Sequence, residues 1–343
     1  MTSLGGQTSL ATGTSTGTNI TTSMQTGTVI TSNTETGTGI VGNDAGASDV
    51  LSGQMEDATM ETETGTEITE ADPDWAEWPI PNCNTDVVNG APNLEHYTDN
   101  GDGTVIDNVT GLLWQQDVSS TKAYTWNDAI SYCSELILAG QEGWRLPSRI
   151  ELVSIVDYDQ SNPSIDVIHF TSTPAVWFWA STPAVEVQPS AAWGVSFDYG
   201  YTYSNSVTLL GDVRCVRSSW TAVSVPVEQY VVTSSNNTVY DTKTKLTWRQ
   251  TVPVALYALA DAKIYCSGLG TGWRLPTVKE LESIVDDSQS NPSIDSTVFP
   301  STPSNYFWSM TNAGSPVVPW LVDFSNGWTG SNIPNANNVR CVQ

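Results

Sequence analysis

The sequence predicts an α+β protein made of two tandem copies of one small domain, preceded by a disordered tail. Three observations support this. Gly-Trp-Arg-Leu-Pro at 143–147 returns at 272–276, and Ser-Asn-Pro-Ser-Ile-Asp at 161–166 returns at 290–295, both at an offset of 129 residues. Each copy shows hairpin, helix and strand patterns in the same order. The first 80 residues have a low-complexity composition.

The first 80 residues form the tail. Thr-Gly-Thr recurs at 16–18, 26–28 and 36–38, and Thr, Gly, Ser and acidic residues dominate the segment. Such a composition has too little apolar surface to offset the entropy lost on ordering. We therefore expect residues 1–80 to be disordered and to act as a surface stalk or an inert linker.

The charge of the chain is strongly negative and unevenly distributed. The formal net charge is −25, and no Lys or Arg occurs before Lys122. Phosphate binding needs a basic surface, so nucleic acid is not an expected partner. No run of about 18 apolar residues is present, so no membrane span is expected. The N-terminus lacks the basic and apolar regions of a signal peptide, and we expect that an export signal is missing from this sequence; a cytosolic protein is the alternative.

Each copy begins with a hairpin pattern and continues with two helices. In copy one, apolar-rich strands at 104–107 and 112–114 flank a short turn, which is typical of a β-hairpin. Thr125 is expected to cap the first helix, and Ser148 begins the second with a capping-box sequence. After the repeated Ser-Asn-Pro-Ser-Ile-Asp segment only strand and turn patterns remain. The predicted boundaries are 1–80 for the tail, 83–219 for copy one and 226–343 for copy two.

The five cysteines follow the repeat. Each copy has one cysteine in its first helix and one in its last strand, which predicts the disulfides Cys133–Cys215 and Cys266–Cys341. Such disulfides indicate an oxidising compartment, so the expected location is extracellular or the cell surface. Buried free thiols are the alternative, since the spacing does not suit a metal site. Cys83 stands alone before copy one and is expected to be free or to cross-link two chains.

Several motifs of the repeat resemble the Lcl C-terminal domain family. They are the opening segment at 99–114, Gly-Trp-Arg-Leu-Pro followed by Glu-Leu-x-Ser-Ile-Val-Asp, a Phe-Trp strand, and Val-Arg-Cys-Val near the end. The likeness covers residues 95–217 and 230–343. The second copy departs from the family opening, because Ser-Ser-Asn-Asn-Thr at 234–238 replaces the Asp-Asn-Gly-Asp-Gly segment.

The resemblance implies a bacterial, extracytoplasmic domain of unknown function, with a fold similar to C-type-lectin-like and formylglycine-generating-enzyme folds. The name-giving member is a surface adhesin that binds sulfated glycans, so the resemblance implies a non-enzymatic adhesion or recognition role. The acidity of this chain departs from a binder of sulfated glycans. A structural component of a cell surface or filament is the alternative. An oxidoreductase like the formylglycine-generating enzymes is disfavoured, because the cysteines stand where structural pairs belong.

No catalytic or metal-binding constellation is predicted, and no cofactor is expected. His96 and His169 have no counterparts in the other copy, which disfavours a hydrolase triad. Arg145 and Arg274 are expected to form buried ion pairs with nearby carboxylates. Acidic residues flank the repeated loop, and we interpret them as capping and turn residues, with a cation site as the alternative. These acids are Asp157, Asp159, Asp166, Asp286, Asp287 and Asp295.

The expected binding surface lies between the second helix and the last strands of each copy. This region of copy one has no Lys or Arg between Arg149 and Arg214 and is rich in Tyr, Trp and Asn. Such side chains suit the C–H faces and hydroxyls of neutral sugars. The predicted binding residues are Tyr199, Tyr201, Tyr203, Asn205, Trp328 and Asn332. The expected partner is a glycan or a surface protein, with self-association through Cys83 or the domain faces as a further interaction. The alternative is that these aromatic residues pack the two copies together.

Overall fold

The structure of the protein is a computed structural model. It describes residues 79–118, 122–185, 190–218, 228–313, 318–331 and 336–343. The prediction of a disordered tail therefore concerns residues outside the described part, apart from Pro79 and Ile80.

Copy one contains two helices and two small antiparallel sheets. Its elements are β1 (Tyr97–Asp99), β2 (Thr104–Asp107), β3 (Leu112–Gln115), α2 (Trp126–Ser134), α3 (Arg149–Ser154), β4 (Trp177–Pro183), β5 (Ala191–Ser196), β6 (Tyr201–Ser206) and β7 (Val216–Ser218), preceded by the short helix α1 (Asn84–Val88). The first sheet has the strand order β1–β2–β3–β7 and the second has the order β4–β5–β6. The predicted order of hairpin, two helices and short strands is confirmed.

Copy two repeats this arrangement. Its elements are β8 (Tyr230–Thr233), β9 (Thr238–Asp241), β10 (Thr247–Arg249), α4 (Leu259–Ser267), α5 (Val278–Glu282), β11 (Tyr306–Ala313), β12 (Val318–Asp323) and β13 (Trp328–Ser331). The sheets have the orders β8–β9–β10 and β11–β12–β13. Near the chain end, Val342 forms isolated bridges to Trp248 and Arg274, which places the last residues beside the first hairpin.

The hairpin turn of each copy depends on a buried aspartate. Asp107 accepts hydrogen bonds from the backbone N–H of Val109 at 2.9 Å and from the hydroxyl of Thr110 at 2.7 Å. Asp241 makes the equivalent bond to the hydroxyl of Thr244 at 2.8 Å in copy two. An aspartate side chain that bonds to the backbone two residues later is a common way to set a turn. This geometry explains why Asp-x-x-Thr occurs in both copies.

The Trp-Arg-Leu-Pro motif positions the start of the second helix. In copy one, Ser148 and Glu151 form a complete capping box. Arg145 then donates two bonds of 2.7 and 2.6 Å to the carboxylate of Glu151. Arg274 and Glu280 form the same bidentate pair in copy two. The predicted ion pairs are confirmed, with the Arg145 side chain 25% exposed. The bridge from Arg145 to Val216 also links the motif to the last strand of copy one.

The arginine of Val-Arg-Cys-Val is fully buried in both copies. Arg214 donates to the carbonyl oxygens of Gln115 and Gln116, both at 2.6 Å. Arg340 donates to the carbonyl oxygens of Arg249 and Gln250, both at 2.8 Å. Burial lowers the pKa of each guanidinium to about 9. These arginines join the last segment of each copy to the end of its first sheet, where carbonyl groups would otherwise be buried without partners.

Both predicted disulfides are confirmed. Cys133 is bonded to Cys215, and Cys266 to Cys341, so each copy is closed by a bond from its first helix to its last segment. Cys83 is a free thiol that is only 1% exposed. A cross-link between chains through Cys83 is therefore disfavoured, because the thiol cannot reach solvent without local opening of the fold.

The core continues from one copy into the other. Each copy has a cluster of buried residues around its own disulfide. A third cluster contains buried aromatic residues of both copies, including Trp114, Phe178, Trp248 and Phe307. Among the tryptophans that recur in both copies, Trp144, Trp179 and Trp308 are buried, whereas Trp273 is only partly buried.

Candidate functional site

Strand β6 carries three of the predicted binding residues. Tyr201, Tyr203 and Asn205 alternate with their neighbours along this strand, so their side chains leave the same side of it. Tyr201 pairs with Ser196 and Tyr203 with Gly194 on strand β5. Tyr199 lies in the preceding turn and is 49% exposed.

Two predicted binding residues lie against the other copy. The Tyr201 ring is 4.8 Å from the Trp320 ring, and its hydroxyl is 3.2 Å from Ser331 Oγ. Trp328 of copy two packs against a buried cluster of copy one that contains Trp193. For Tyr201 and Trp328 the structure agrees with the alternative interpretation that these aromatic residues join the copies. Asn332 lies outside the described residues.

Tyr203 lies close to a partly exposed tryptophan, whereas the Tyr199 ring lies 6.1 Å from the Tyr201 ring. The Trp177 ring is 5.9 Å from the Tyr203 ring. A Cβ atom at Gly194 would overlap the Trp177 ring, and one at Gly211 would lie 2.7 Å from its Cε3 atom, so two glycines make room for this ring. We call Trp177, Tyr199, Tyr203 and Asn205 the aromatic face of copy one.

Trp177 was not among the residues predicted from the sequence. The apolar stretch around it indicates a buried strand, which is correct for its neighbours Phe178 and Trp179. A usable signal is the difference between the copies. Phe-Trp is repeated, but the residue before it changes from Trp177 to Tyr306. A position that differs between the two copies, next to positions that are identical in both, indicates a side chain that the shared core does not need.

Polar groups surround the aromatic face. The Ser196 hydroxyl donates to the Asp198 carboxylate, which also accepts the Tyr199 backbone N–H at 2.8 Å. Burial raises the pKa of the Tyr203 phenol, and the Asp198 charge adds to this while Ser196 opposes it. The face therefore combines flat apolar rings with a carboxylate acceptor and a neutral phenol donor. This arrangement suits a ligand that offers C–H groups and hydroxyls together.

The two copies meet through equivalent elements. Thr202 and Thr329, which follow Tyr201 and Trp328 in their strands, join their hydroxyls at 2.8 Å across the contact. The Thr202 backbone N–H also donates to the Thr329 hydroxyl at 2.9 Å. Helices α3 and α5 pack against each other. The contact is therefore approximately two-fold symmetric, as in an isologous dimer.

A cation from each copy crosses this contact. Arg149 of α3 donates to the Gly327 carbonyl at 2.6 Å and lies 3.2 Å from Asp287 Oδ1. Lys279 of α5 donates to the Ser154 carbonyl at 2.9 Å in the opposite direction. Both cationic side chains are buried. A buried charge needs a partner of opposite sign, so these residues tie each copy to the other.

A cleft of about 710 Å³ lies beside this contact. Copy one contributes Ile150 and Thr182 to its walls, and copy two contributes Glu282, Asp286 and Asp295 among others. Burial raises the pKa of Glu282 to about 8, with the Asp287 charge adding to the effect and Arg149 opposing it. We call this the inter-copy cleft.

The free energy of unfolding is expected to decrease between about pH 5 and about pH 8, in part because of Glu282. The native protein keeps the Glu282 proton up to its pKa of about 8, while the unfolded chain loses it near 4.5. Each such group lowers stability by about 1.4 kcal/mol per pH unit in this window. Glu282→Gln should raise the melting temperature at pH 8 and leave it nearly unchanged at pH 4.5.

Thermal unfolding between pH 4.5 and 8.5 measures this, with Glu135→Gln as the control because Glu135 is exposed. A variant that is no more stable than the wild type at pH 8 would show that Glu282 is ionised in the native state without cost.

The acidic residues around the repeated loop act mainly in turns. Asp166 accepts the Ile168 backbone N–H at 2.8 Å, and Asp295 accepts the Thr297 backbone N–H at 2.8 Å. The Cys83 thiol and the carboxylates of Asp157 and Asp159 lie within 4.8 Å of one another. Asp159 is already an acceptor for the Thr85 backbone N–H at 2.8 Å. The interpretation as turn residues is therefore supported for Asp166 and Asp295, whereas Asp159 bonds to the distant Thr85 and Asp287 pairs with Arg149 of copy one.

The fold and its disulfides define a tandem-domain protein of mixed α and β structure in which each copy is closed by its own disulfide. The chain belongs to the Lcl C-terminal domain family, whose profile matches residues 103–217 and 237–343, more than half of the chain. No curated protein shows a significant match to it. Within the described residues, no helix combines the length and apolar character needed to cross a bilayer.

Proposed function

We propose that the protein is a non-enzymatic, extracellular recognition or adhesion protein whose aromatic face binds a neutral glycan. The observation that carries this proposal is the exposure of Tyr199 and the partial exposure of Trp177 and Tyr203 beside Asp198. Aromatic rings stack on the C–H faces of sugars, and carboxylates accept hydrogen bonds from their hydroxyls.

Charge favours a neutral ligand over a sulfated one. The sequence between Arg149 and Arg214, which includes the whole aromatic face, contains no Lys or Arg. Asp198 adds a negative charge at its edge. A sulfated glycan would meet repulsion here without a basic side chain to offset it.

Location outside the cell and a C-type-lectin-like arrangement belong to the same proposal. Two disulfides support an oxidising compartment. Two helices, small antiparallel sheets and a bond from the first helix to the last segment support the lectin-like arrangement. In such an arrangement the region between the second helix and the last strands is the ligand-binding region, and the aromatic face lies there.

A double variant, Tyr199→Ser with Tyr203→Ser, is expected to weaken binding on a glycan array by about a hundredfold, because each lost stacking contact is worth about 1–1.5 kcal/mol. Tyr201 is left unchanged since it packs on Trp320. Tyr240→Ser in copy two is the matched control, because Tyr240 is a tyrosine that is 38% exposed on a different sheet.

The array should include neutral glycans, sulfated glycans and host glycoproteins, each read with the wild type and both variants. Undiminished binding of the double variant contradicts the proposal. Binding to sulfated glycans alone, or to protein after its glycans are removed, also overturns the choice of a neutral glycan. No binding at all would indicate a structural surface component instead.

A further inference from the structure

The inter-copy cleft has a counterpart on the opposite side of the two-fold contact, and that counterpart is filled by the protein itself. The segment that precedes strand β1, residues 79–95, contains helix α1 and contacts both copies; we call it the strap. Asp86 of the strap accepts a 2.6 Å hydrogen bond from the Thr311 hydroxyl. Thr85 donates its backbone N–H to Asp159 at 2.8 Å, and Glu95 lies 3.7 Å from the Lys279 ammonium.

The residues that hold the strap are repeated around the open cleft. Asp157 and Asp159 of copy one and Lys279 and Thr311 of copy two lie against the strap. At the repeat offset of 129, their counterparts are Asp286, Ser288, Ile150 and Thr182. All four counterparts line the inter-copy cleft. The cleft is therefore the duplicate of a site that binds a peptide segment.

The filled site contains a buried cation that the open cleft lacks at the equivalent position. The Lys279 ammonium is buried among strap residues and the end of α3. Its counterpart, Ile150, brings no charge into the cleft. The cleft nevertheless keeps two of the acids that surround the filled site, since Asp286 and Asp295 correspond to Asp157 and Asp166.

Copy two also adds carboxylates that copy one does not have. Glu282 and Asp287 line the cleft where copy one has Val153 and Tyr158. Glu282 is 1% exposed. Among the described residues, neither of its carboxylate oxygens has a hydrogen-bond partner of acceptable geometry. The nearby Thr329 hydroxyl and the Arg149 charge favour the ionised form of Glu282.

Two cations oppose these acids. Arg149 does not line the inter-copy cleft itself but lies 3.2 Å from the lining residue Asp287, and Lys243 is one of the lining residues. The carboxylates of Asp286, Asp287 and Asp295 still outnumber them, and Glu282 adds a fourth negative charge above its pKa of about 8.

We infer that the inter-copy cleft binds the cationic side chain of a lysine or arginine presented on an extended peptide of a partner protein. In the filled site, the Lys279 ammonium and the strap lie against residues that correspond, at the repeat offset, to residues lining the inter-copy cleft. A volume of about 710 Å³ is far larger than a metal ion needs and suits a long side chain with its flanking backbone. Ile150 and the Tyr230 ring offer apolar surface for the methylene groups, as long cationic side chains require. This site is separate from the aromatic face.

The test uses acetyl-Gly-Lys-Gly-amide and its uncharged match, acetyl-Gly-norleucine-Gly-amide, titrated into the full chain and followed by NMR at about 150 mM salt to suppress long-range attraction. The lysine peptide should bind with a dissociation constant on the order of 1 mM, about tenfold more tightly than the norleucine peptide. Binding that is equal for the two peptides, or absent for both, overturns the inference.

Two variants locate the site. Ile150→Lys installs in the cleft the lysine that the duplicate site carries, and should weaken binding of the lysine peptide at least about tenfold. Ile264→Lys adds the same charge at a position that is 68% exposed on α4 and should change binding less than about twofold. Equal losses in both variants would mean that net charge alone attracts the peptide.

If Ile150→Lys does not fold, Glu282→Gln replaces it and should weaken binding about fivefold at pH 8.5. Unchanged binding by that variant overturns the inference. The variant with Tyr199→Ser and Tyr203→Ser should bind the lysine peptide normally, so failure of this inference is distinguishable from failure of the glycan proposal.

Discussion

Replacement of Cys133 and Cys215 by alanine is expected to lower the free energy of unfolding by about 4.5 kcal/mol, since the bond closes a loop with a sequence separation of 82 residues. The main reason is that the disulfide restricts the unfolded chain, which regains its freedom when the bond is removed. Both cysteines are fully buried. The other three cysteines are Cys83, which is free, and the pair that closes copy two, so no other disulfide joins α2 to the last segment of copy one.

Chemical denaturation of the oxidised wild type and the double variant measures the effect. Replacement of Cys266 and Cys341, with a separation of 75 residues, should cost nearly the same. Cys83→Ala is the control for loss of a buried sulfur without loss of a cross-link, and should cost only about 1 kcal/mol. A double variant as stable as the wild type would show that residual structure in the unfolded state already brings the two ends together.

Replacement of Arg149 by methionine is expected to lower stability by about 3–5 kcal/mol, because it leaves Glu282 and Asp287 without their cation in a buried contact. It also removes the 2.6 Å bond to the Gly327 carbonyl and the contact with the Trp193 ring, whose centre is 4.7 Å from the guanidinium. The loss should be larger at pH 8 than at pH 5, where Glu282 is protonated with or without Arg149.

A double variant separates charge from packing. Arg149→Met together with Glu282→Leu removes most of the unpaired charge and should regain more than half of the lost stability, because buried ion pairs are often replaced by apolar residues at little cost. Arg217→Met is the control, since Arg217 is partly exposed and bonds to the Glu142 carbonyl within copy one. If Arg149→Met costs no more than Arg217→Met, the charges across the contact do not hold the copies together.

The elements within each copy could be predicted from the sequence because they depend on short-range chemistry. The turn at Asp107, the cap at Thr125 and the capping box at Ser148 each involve residues within three positions of one another. The disulfides could be predicted for a related reason. A repeat with one cysteine in each first helix and one in each last strand gives a simple pairing within each copy, which the structure confirms.

The candidate site could be predicted only in part. Composition predicted Tyr199, Tyr203 and Asn205 as binding residues. Trp177 was missed because its neighbours Phe178 and Trp179 are buried, and the whole stretch resembles a core strand. The inter-copy cleft could not be predicted at all, since its walls come from positions as distant as Thr182 and Glu282.

The repeat, the helix caps and the cysteine positions can be recognised from the order of residues alone, so the sequence predicts two copies of one disulfide-closed α+β domain. The way in which the copies face each other depends on contacts that form only in the folded chain. Thr202 and Thr329 are 127 residues apart when they meet. The apolar pattern of each copy is almost the same whether its faces meet solvent, ligand or the other copy. For that reason the pattern does not distinguish Tyr201, which packs on Trp320, from Tyr203, which remains on the aromatic face.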